Sequence, residues 1–106
     1  MLKKEILRRN GDFSSIYKKG KSVGDRFVVV FYRKNNLPYT RIAFLASKKV
    51  GNSVTRNRAR RLMKESYKTI QEQLAIGYDI IFIARKTIIN SKDVYKRQLD
   101  QFLILN

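Results

Sequence analysis

The cations Lys48, Lys49, Arg56, Arg58, Arg60, Arg61, Lys64 and Lys68 crowd a short stretch whose only acid is Glu65. Such a group is suited to gripping phosphate, through planar guanidinium forks and ammonium groups, and its guanidinium planes can stack on exposed bases. Asn57, set among the arginines, adds an amide able to bond a base edge, a 2′-hydroxyl or a metal-bound water. Arg56, Arg60 and Lys64 recur at i, i+4, i+8, so on a helix like charges stack as neighbours with no acid between them. A solvated helix face normally alternates Glu with Lys. This one repels itself unless a polyanion lies against it.

Groups suited to bond breaking are scarce. The chain has no histidine and no cysteine, which removes zinc fingers, disulfides, imidazole bases and thiol nucleophiles. Its 8 acids, Glu5, Asp12, Asp25, Glu65, Glu72, Asp79, Asp93 and Asp100, are dispersed. A protein-only nuclease would gather several carboxylates around Mg²⁺, whereas these positions suit helix ends and salt bridges.

The elements that must position the cations can be placed from periodicity and punctuation. With 106 residues and 43% hydrophobic composition, the chain is expected to form one domain over residues 1–106. Asn10, Gly11 and Asp12 open a short helix with Phe13, Ile16 and Tyr17 on one face and Lys18 and Lys19 on another, ending at Gly20 as a left-handed terminator. FVVVFY at residues 27–32 and RIAFLA at 41–46 read as strands, joined through NNLPY as an antiparallel hairpin. After Gly51, a cap at Asn52, Ser53 or Thr55 starts a long helix. Its core side is Ala59, Leu62, Met63, Ser66, Tyr67, Ile70 and Leu74, and its other side is cationic. Gly77 ends that helix and YDIIFIA at 78–84 is a buried strand. Asn90 or Ser91 caps a last helix carrying Tyr95, Leu99, Phe102 and Leu103. The order α-β-β-α-β-α predicts an α+β, two-layer sandwich around a small sheet.

Net charge bounds the partner. With 24 Lys and Arg against 8 acids, the formal charge is +16, spread along the chain, which favours nucleic acid. The opening MLKKEILRRN lacks the apolar centre of a signal peptide and no apolar run approaches membrane-spanning length, so a cytoplasmic protein with no membrane partner is expected. A hairpin followed by a basic helix is not a helix-turn-helix, and aromatics on a small sheet suit single-stranded RNA. Phe13, Tyr17, Phe31 and Tyr32 are the stacking candidates, though each also fits a core position.

KKVGNSVTRNRARR resembles the signature of the bacterial ribonuclease P protein subunit: a Ser-Lys-Lys, a Gly-Asn turn, then Arg-Asn-Arg and a basic pair on a long helix. RNGDFSSIYKKGKSV is similar to that family's first helix and turn, and IIFIARK to its last strand, so the likeness runs over about residues 7–86. The resemblance implies the protein half of a ribonucleoprotein endoribonuclease. In that enzyme a catalytic RNA subunit carries the active site and removes the 5′ leader of precursor tRNA. It implies a mixed sheet of ribosomal-protein-like topology with a left-handed βαβ crossover, against the usual hand.

The resemblance also assigns roles. Contacts to the RNA subunit fall to Lys48, Lys49, Asn52, Arg56, Asn57, Arg58, Arg60, Arg61 and Lys64, and leader contacts to Phe13, Tyr17, Lys19, Arg26 and Phe31. Mg²⁺ is held by the RNA subunit and substrate, the protein carries no catalytic residue or metal site, and one protein joins one RNA with no obligate protein partner. Arg60 stands where lysine is usual in the family, Ala59 where a larger aliphatic is common, Tyr17 where phenylalanine is frequent and Ala43 where glycine is typical.

Overall fold

The run YDIIFIA is apolar on both faces, and a strand of that pattern belongs in the middle of a sheet. A computed structural model, which describes residues 3–73 and 76–90, puts it there. The elements are α1 (Asn10–Lys19), β1 (Lys21–Gly24), β2 (Val28–Lys34), β3 (Arg41–Leu45), α2 (Ser53–Ile70) and β4 (Tyr78–Ala84), with short 3₁₀ turns at Lys3–Glu5, Gln71–Gln73 and Lys86–Asn90. The four strands form a mixed sheet in the order β1-β2-β4-β3. β1 pairs antiparallel with β2, β2 antiparallel with β4, and β3 parallel with β4.

The expected hairpin between the second and third strands is therefore corrected. β4 inserts between them, and the real hairpin is β1–β2, whose first strand, KSVG, is too short to show alternation in sequence. The segment after β2 wraps the start of β4 instead of turning back. The Asn35 amide donates to the Gly77 carbonyl at 2.8 Å, Asn35 Nδ2 donates to Tyr39 O and Asp79 Oδ1, and the Gly77 amide donates to Thr40 Oγ1 at 3.1 Å.

Alternation along the strands divides the core into two clusters. Val28, Val30, Ile42, Ile80, Phe82 and Ala84 face α2 and pack with its Ala59, Met63 and Tyr67. Ala43 and Ile81 face the other way and pack with Leu7 and Ile16, with Phe13, Phe31, Leu45 and Ile83 at the margin. One helix thus covers each face of the sheet. Leu7 also donates its amide to the Ile42 carbonyl at 2.9 Å, beside a parallel bridge from Ile6 to Ile42, which covers part of the open edge of β3.

Two glycines take roles set by their neighbours. Gly20 ends α1 with an extended backbone, φ −81° and ψ 171°, rather than the left-handed one its position suggested. A methyl group there would lie 2.5 Å from the Ile16 carbonyl oxygen and 2.7 Å from that of Tyr32, so close approach to β2 is what requires glycine. Gly51 has φ +152°, and the turn it makes lets Asn52 cap α2: Asn52 Oδ1 accepts from the Thr55 amide at 2.9 Å. The long helix passes into a 3₁₀ turn after Ile70, ahead of Gly77. The last helix expected around residues 95–103 lies outside the described residues, as does the proposed cap at Ser91.

Candidate nucleic-acid interface

The helix α2 buries Ala59, Met63, Ser66 and Tyr67 and leaves Asn57, Arg58, Arg61, Lys64 and Lys68 exposed, as a 3.6-residue period demands. Arg56 and Arg60 lie half-buried at the border between the two faces. Each is steered by a neighbour one turn away: Arg56 Nη2 donates to Ser53 Oγ at 3.2 Å, and Arg60 Nη1 to Asn57 Oδ1 at 2.7 Å. Arg56 Nε is buried and, among the described residues, donates to nothing. Lys48 and Lys49 are exposed in the turn before the helix, and Asn52 sits at its cap. The positive end of the helix dipole adds to this group. Among the described residues no cation of α2 has a carboxylate partner; the ion pairs there converge on Arg41. Arg60, Arg61 and Lys64 form one wall of a groove of about 360 Å³ whose other wall includes Ile6, Ile42 and Phe44.

The second site lies on the opposite face of the sheet. Tyr17, 42% exposed on α1, meets Phe31 of β2 edge to face with ring centroids 5.0 Å apart. Phe13 and Phe31 are half-buried against the cluster of Leu7, Ile16, Ala43 and Ile81, so each aromatic packs with one part and presents another. Burial pushes the Tyr17 phenol above its usual range, which keeps the ring uncharged. These three come together as the sequence reading placed them. Lys19 precedes the start of β1 and Arg26 follows its end, where its guanidinium lies over the Phe27 ring at 5.7 Å and its carbonyl accepts from Thr87 Oγ1.

An ion-pair cluster that sequence spacing did not show holds α1 on the sheet. Asp79, only 6% exposed, accepts from Arg41 Nε at 2.8 Å and from Arg41 Nη2 at 2.6 Å, a bidentate pairing between adjacent strands. Arg41 Nη1 also reaches Asp12 Oδ2 on α1 at 3.4 Å. The hydrogen bond to Asp79 pushes the already high pKa of Arg41 further up. Beside it, Arg33 Nη1 donates to Ser15 Oγ, a second tie between sheet and helix. Among the described residues no three acidic, histidine or cysteine side chains gather in a metal-holding group, and no helix is long and apolar enough to cross a membrane.

The molecule is a small α+β protein whose cationic helix on one sheet face meets no carboxylate among the described residues and whose other face carries an aromatic cleft. The comparisons place it more closely. The sequence profile of the family described as Ribonuclease P matches residues 1–104. The ribonuclease P protein component of Clostridioides difficile is 44% identical over 96 residues, covering 90% of this chain and 82% of that protein. Its counterpart in Alkaliphilus metalliredigens is 42% identical over 98 residues, covering 92% and 86%. Among solved structures, the RNase P protein of Staphylococcus aureus superposes with a TM-score of 0.81 at 31% identity, covering 95% of this chain and 93% of that one. That of Thermotoga maritima gives 0.84 at 29% identity, covering 96% and 97%. The chain belongs to the ribonuclease P protein family. Membership makes it a subunit of a ribonucleoprotein endoribonuclease of tRNA processing, with RNA as its partner.

Proposed function

We propose that the chain docks on a catalytic RNA subunit through the outer face of α2 and holds the single-stranded 5′ leader of precursor tRNA in the cleft between α1 and the sheet. The observation that carries this is that, among the described residues, no cation of α2 has a carboxylate partner. Lys48, Lys49, Arg56, Arg58, Arg61 and Lys64 supply phosphate contacts, and Asn52 and Asn57 supply amides able to bond bases or 2′-hydroxyls. Phe13, Tyr17 and Phe31 offer ring surface to unpaired bases, a contact indifferent to base identity because every base has a π-face. Lys19 and Arg26, beyond the two ends of β1, contact the leader backbone as it enters and leaves.

In this reading the RNA subunit breaks the bond, and Mg²⁺ rides on the RNA subunit and the substrate. Asp12 and Asp79 share Arg41, a donor set suited to an ion pair and not to a divalent cation. The protein neutralises phosphate where two RNAs meet, one protein to one RNA in the cytoplasm, and so raises substrate affinity at modest salt.

Reconstitution with a bacterial catalytic RNA and a precursor tRNA at low Mg²⁺ tests the assignment. The protein is expected to stimulate leader removal and, alone, to leave the precursor intact. Cleavage by the protein without RNA, or no stimulation, would overturn it. Ribosomal RNA fragments as the co-purifying species would point instead to a ribosomal RNA-binding protein.

A further inference from the structure

Because side chains alternate along a strand, Phe31 and Tyr32 face opposite sides of the sheet, and from the Tyr32 side a second concavity reaches around the end of the sheet to Arg33 and the end of α1. It is a pocket of about 360 Å³ walled by Lys19, Lys21, Tyr32, Arg33, Lys34 and Tyr78. The register explains the grouping. Lys21 of β1 stands opposite Tyr32 of β2, and Lys34 of β2 stands opposite Tyr78 of β4, so two lysines and two tyrosines share one corner of the sheet. Lys19, Lys21 and Lys34 are exposed, and among the described residues no acid lines the pocket. Its volume falls within the range of small-ligand sites, and its charge calls for an anion.

The aromatic rings narrow the class of occupant. Tyr32 and Tyr78 are half-buried, with centroids 6.4 Å apart and planes tilted by 56°. Rings already in mutual contact at that tilt leave no slot for a base between them, and the ring that meets a base at this corner is that of Tyr78, through its outer surface. Cations grouped around aromatic surface on a sheet make a single-strand site: backbone phosphate on the lysines, base or ribose on a ring. An inorganic anion would use the lysines alone.

Position relative to the cleft selects the source of that strand. Tyr17 and Phe31 meet on the α1 face, and the chain passes from α1 through Lys19 and Gly20 to Lys21 around the end of the sheet. Lys19 and Gly20 themselves line the pocket. Lys19 is thus the hinge between the cleft and a site that reaches around the end of the sheet onto the opposite face. We propose that this pocket binds leader nucleotides farther from the cleavage site than those in the cleft, the strand bending around the end of α1 at Lys19. The proposal rests on the leader reading of the cleft and extends it to a second subsite.

The test uses reconstituted holoenzyme and three substrates: mature tRNA, a precursor whose leader ends within the cleft, and one longer by about four nucleotides, the lower bound of single-strand site sizes. Wild type should bind the longer precursor more tightly than the shorter one. Lys21→Ala combined with Lys34→Ala, both at exposed positions, should cancel most of that gain, on the order of 10-fold. It should also flatten the salt dependence for the long leader by about 1.4 log units per log unit of salt, from roughly 0.7 for each single-strand phosphate contact. Short-leader binding, mature tRNA binding and assembly with the RNA subunit should not change. Tyr78→Leu, which removes the ring and keeps bulk, should reduce the length gain without changing the salt slope.

An equal loss on all three substrates, or a loss in assembly, would assign the pocket to the RNA subunit and overturn the proposal. So would a double variant indistinguishable from wild type. If wild type prefers short-leader precursor to mature tRNA but gains nothing from extra length, the pocket proposal alone falls. If wild type does not distinguish precursor from mature tRNA at all, the cleft reading falls with it.

Discussion

The outer face of α2 and the cleft beside α1 both carry arginines, yet they treat charge in opposite ways. On α2 the cations are bound only to neutral groups, Ser53 and Asn57, and none has a carboxylate among the described residues. Beside α1, Arg41 is neutralised by Asp79 and Asp12 and Arg33 is tied to Ser15, so these guanidiniums serve as fasteners. What remains exposed there is ring surface. On the proposed reading the first face responds to phosphate density and will be sensitive to salt, and the second responds to unstacked bases and will be much less so. On that reading one small sheet carries two kinds of RNA recognition, separated by its own thickness.

The comparison breaks most readily at the fastener. Arg41→Ala leaves Asp79 buried with Asn35 as its remaining side-chain partner, and losing one member of a buried pair costs about 3–5 kcal/mol. Chemical denaturation should show that loss. The weakened seat of α1 should also lower the preference for precursor over mature tRNA, while the salt slope for assembly with the RNA subunit stays as in wild type. Replacing both partners, Arg41→Met with Asp79→Leu, should recover much of the stability, since no charge is then left stranded. A double variant as unstable as Arg41→Ala would show that packing, and not the ion pair, sets the cost.

Arg56→Ala with Arg58→Ala is expected to act on the other face alone. Losing two charge-assisted contacts should weaken assembly with the RNA subunit on the order of 100-fold at low salt. The log–log salt slope should flatten by about 1.4 to 1.8, two contacts at roughly 0.7 to 0.9 each. Stability should change little, because Arg58 is exposed and Arg56 bonds only Ser53 at the helix start. An unchanged slope would take these arginines out of the interface.

How much of this was legible in the sequence follows from how local each determinant is. The α2 faces were readable because periodicity, the Gly51–Asn52 break and the cap all lie within one stretch of chain, and Asn52 proved to be the capping residue among the three candidates. Strand order was not readable. Whether β2 and β3 pair with each other or with β4 depends on which strand needs cover on both faces, and β4, buried at Asp79, Ile80, Ile81 and Phe82 in succession, takes the centre. Gly20 was placed at the right boundary for the wrong reason, since a left-handed end is a local rule and the approach of Tyr32 is not local. The Arg41–Asp79 pair joins residues 38 positions apart, and Asp12, expected only to favour a helix start, also bonds Arg41. The aromatic trio was implied by the resemblance; spacing alone offered it together with Tyr32, which the fold sets against the α2-facing cluster while Phe31 packs on the other side. Lys19 and Arg26 could not be located until β1 was seen to run between them.

The smallest effect sharpens the contrast most. Tyr17→Ala removes a ring that is 42% exposed and touches Phe31 but lies outside the fully buried core, so the fold should tolerate it. If an unpaired leader base stacks there, affinity for precursor tRNA should fall by about 1 kcal/mol, the low end for base–aromatic stacking because Phe31 still offers a surface. Mature tRNA should lose nothing. Tyr17→Phe keeps the ring and, since the phenol is held neutral, should match wild type on both substrates. The salt slope should be the same in all three proteins, because no phosphate contact has been removed. A parallel loss on precursor and mature tRNA would mean that Tyr17 seats α1 and does not meet the leader, and the division between a charge-reading face and a base-reading face would then rest on Phe13 and Phe31 alone.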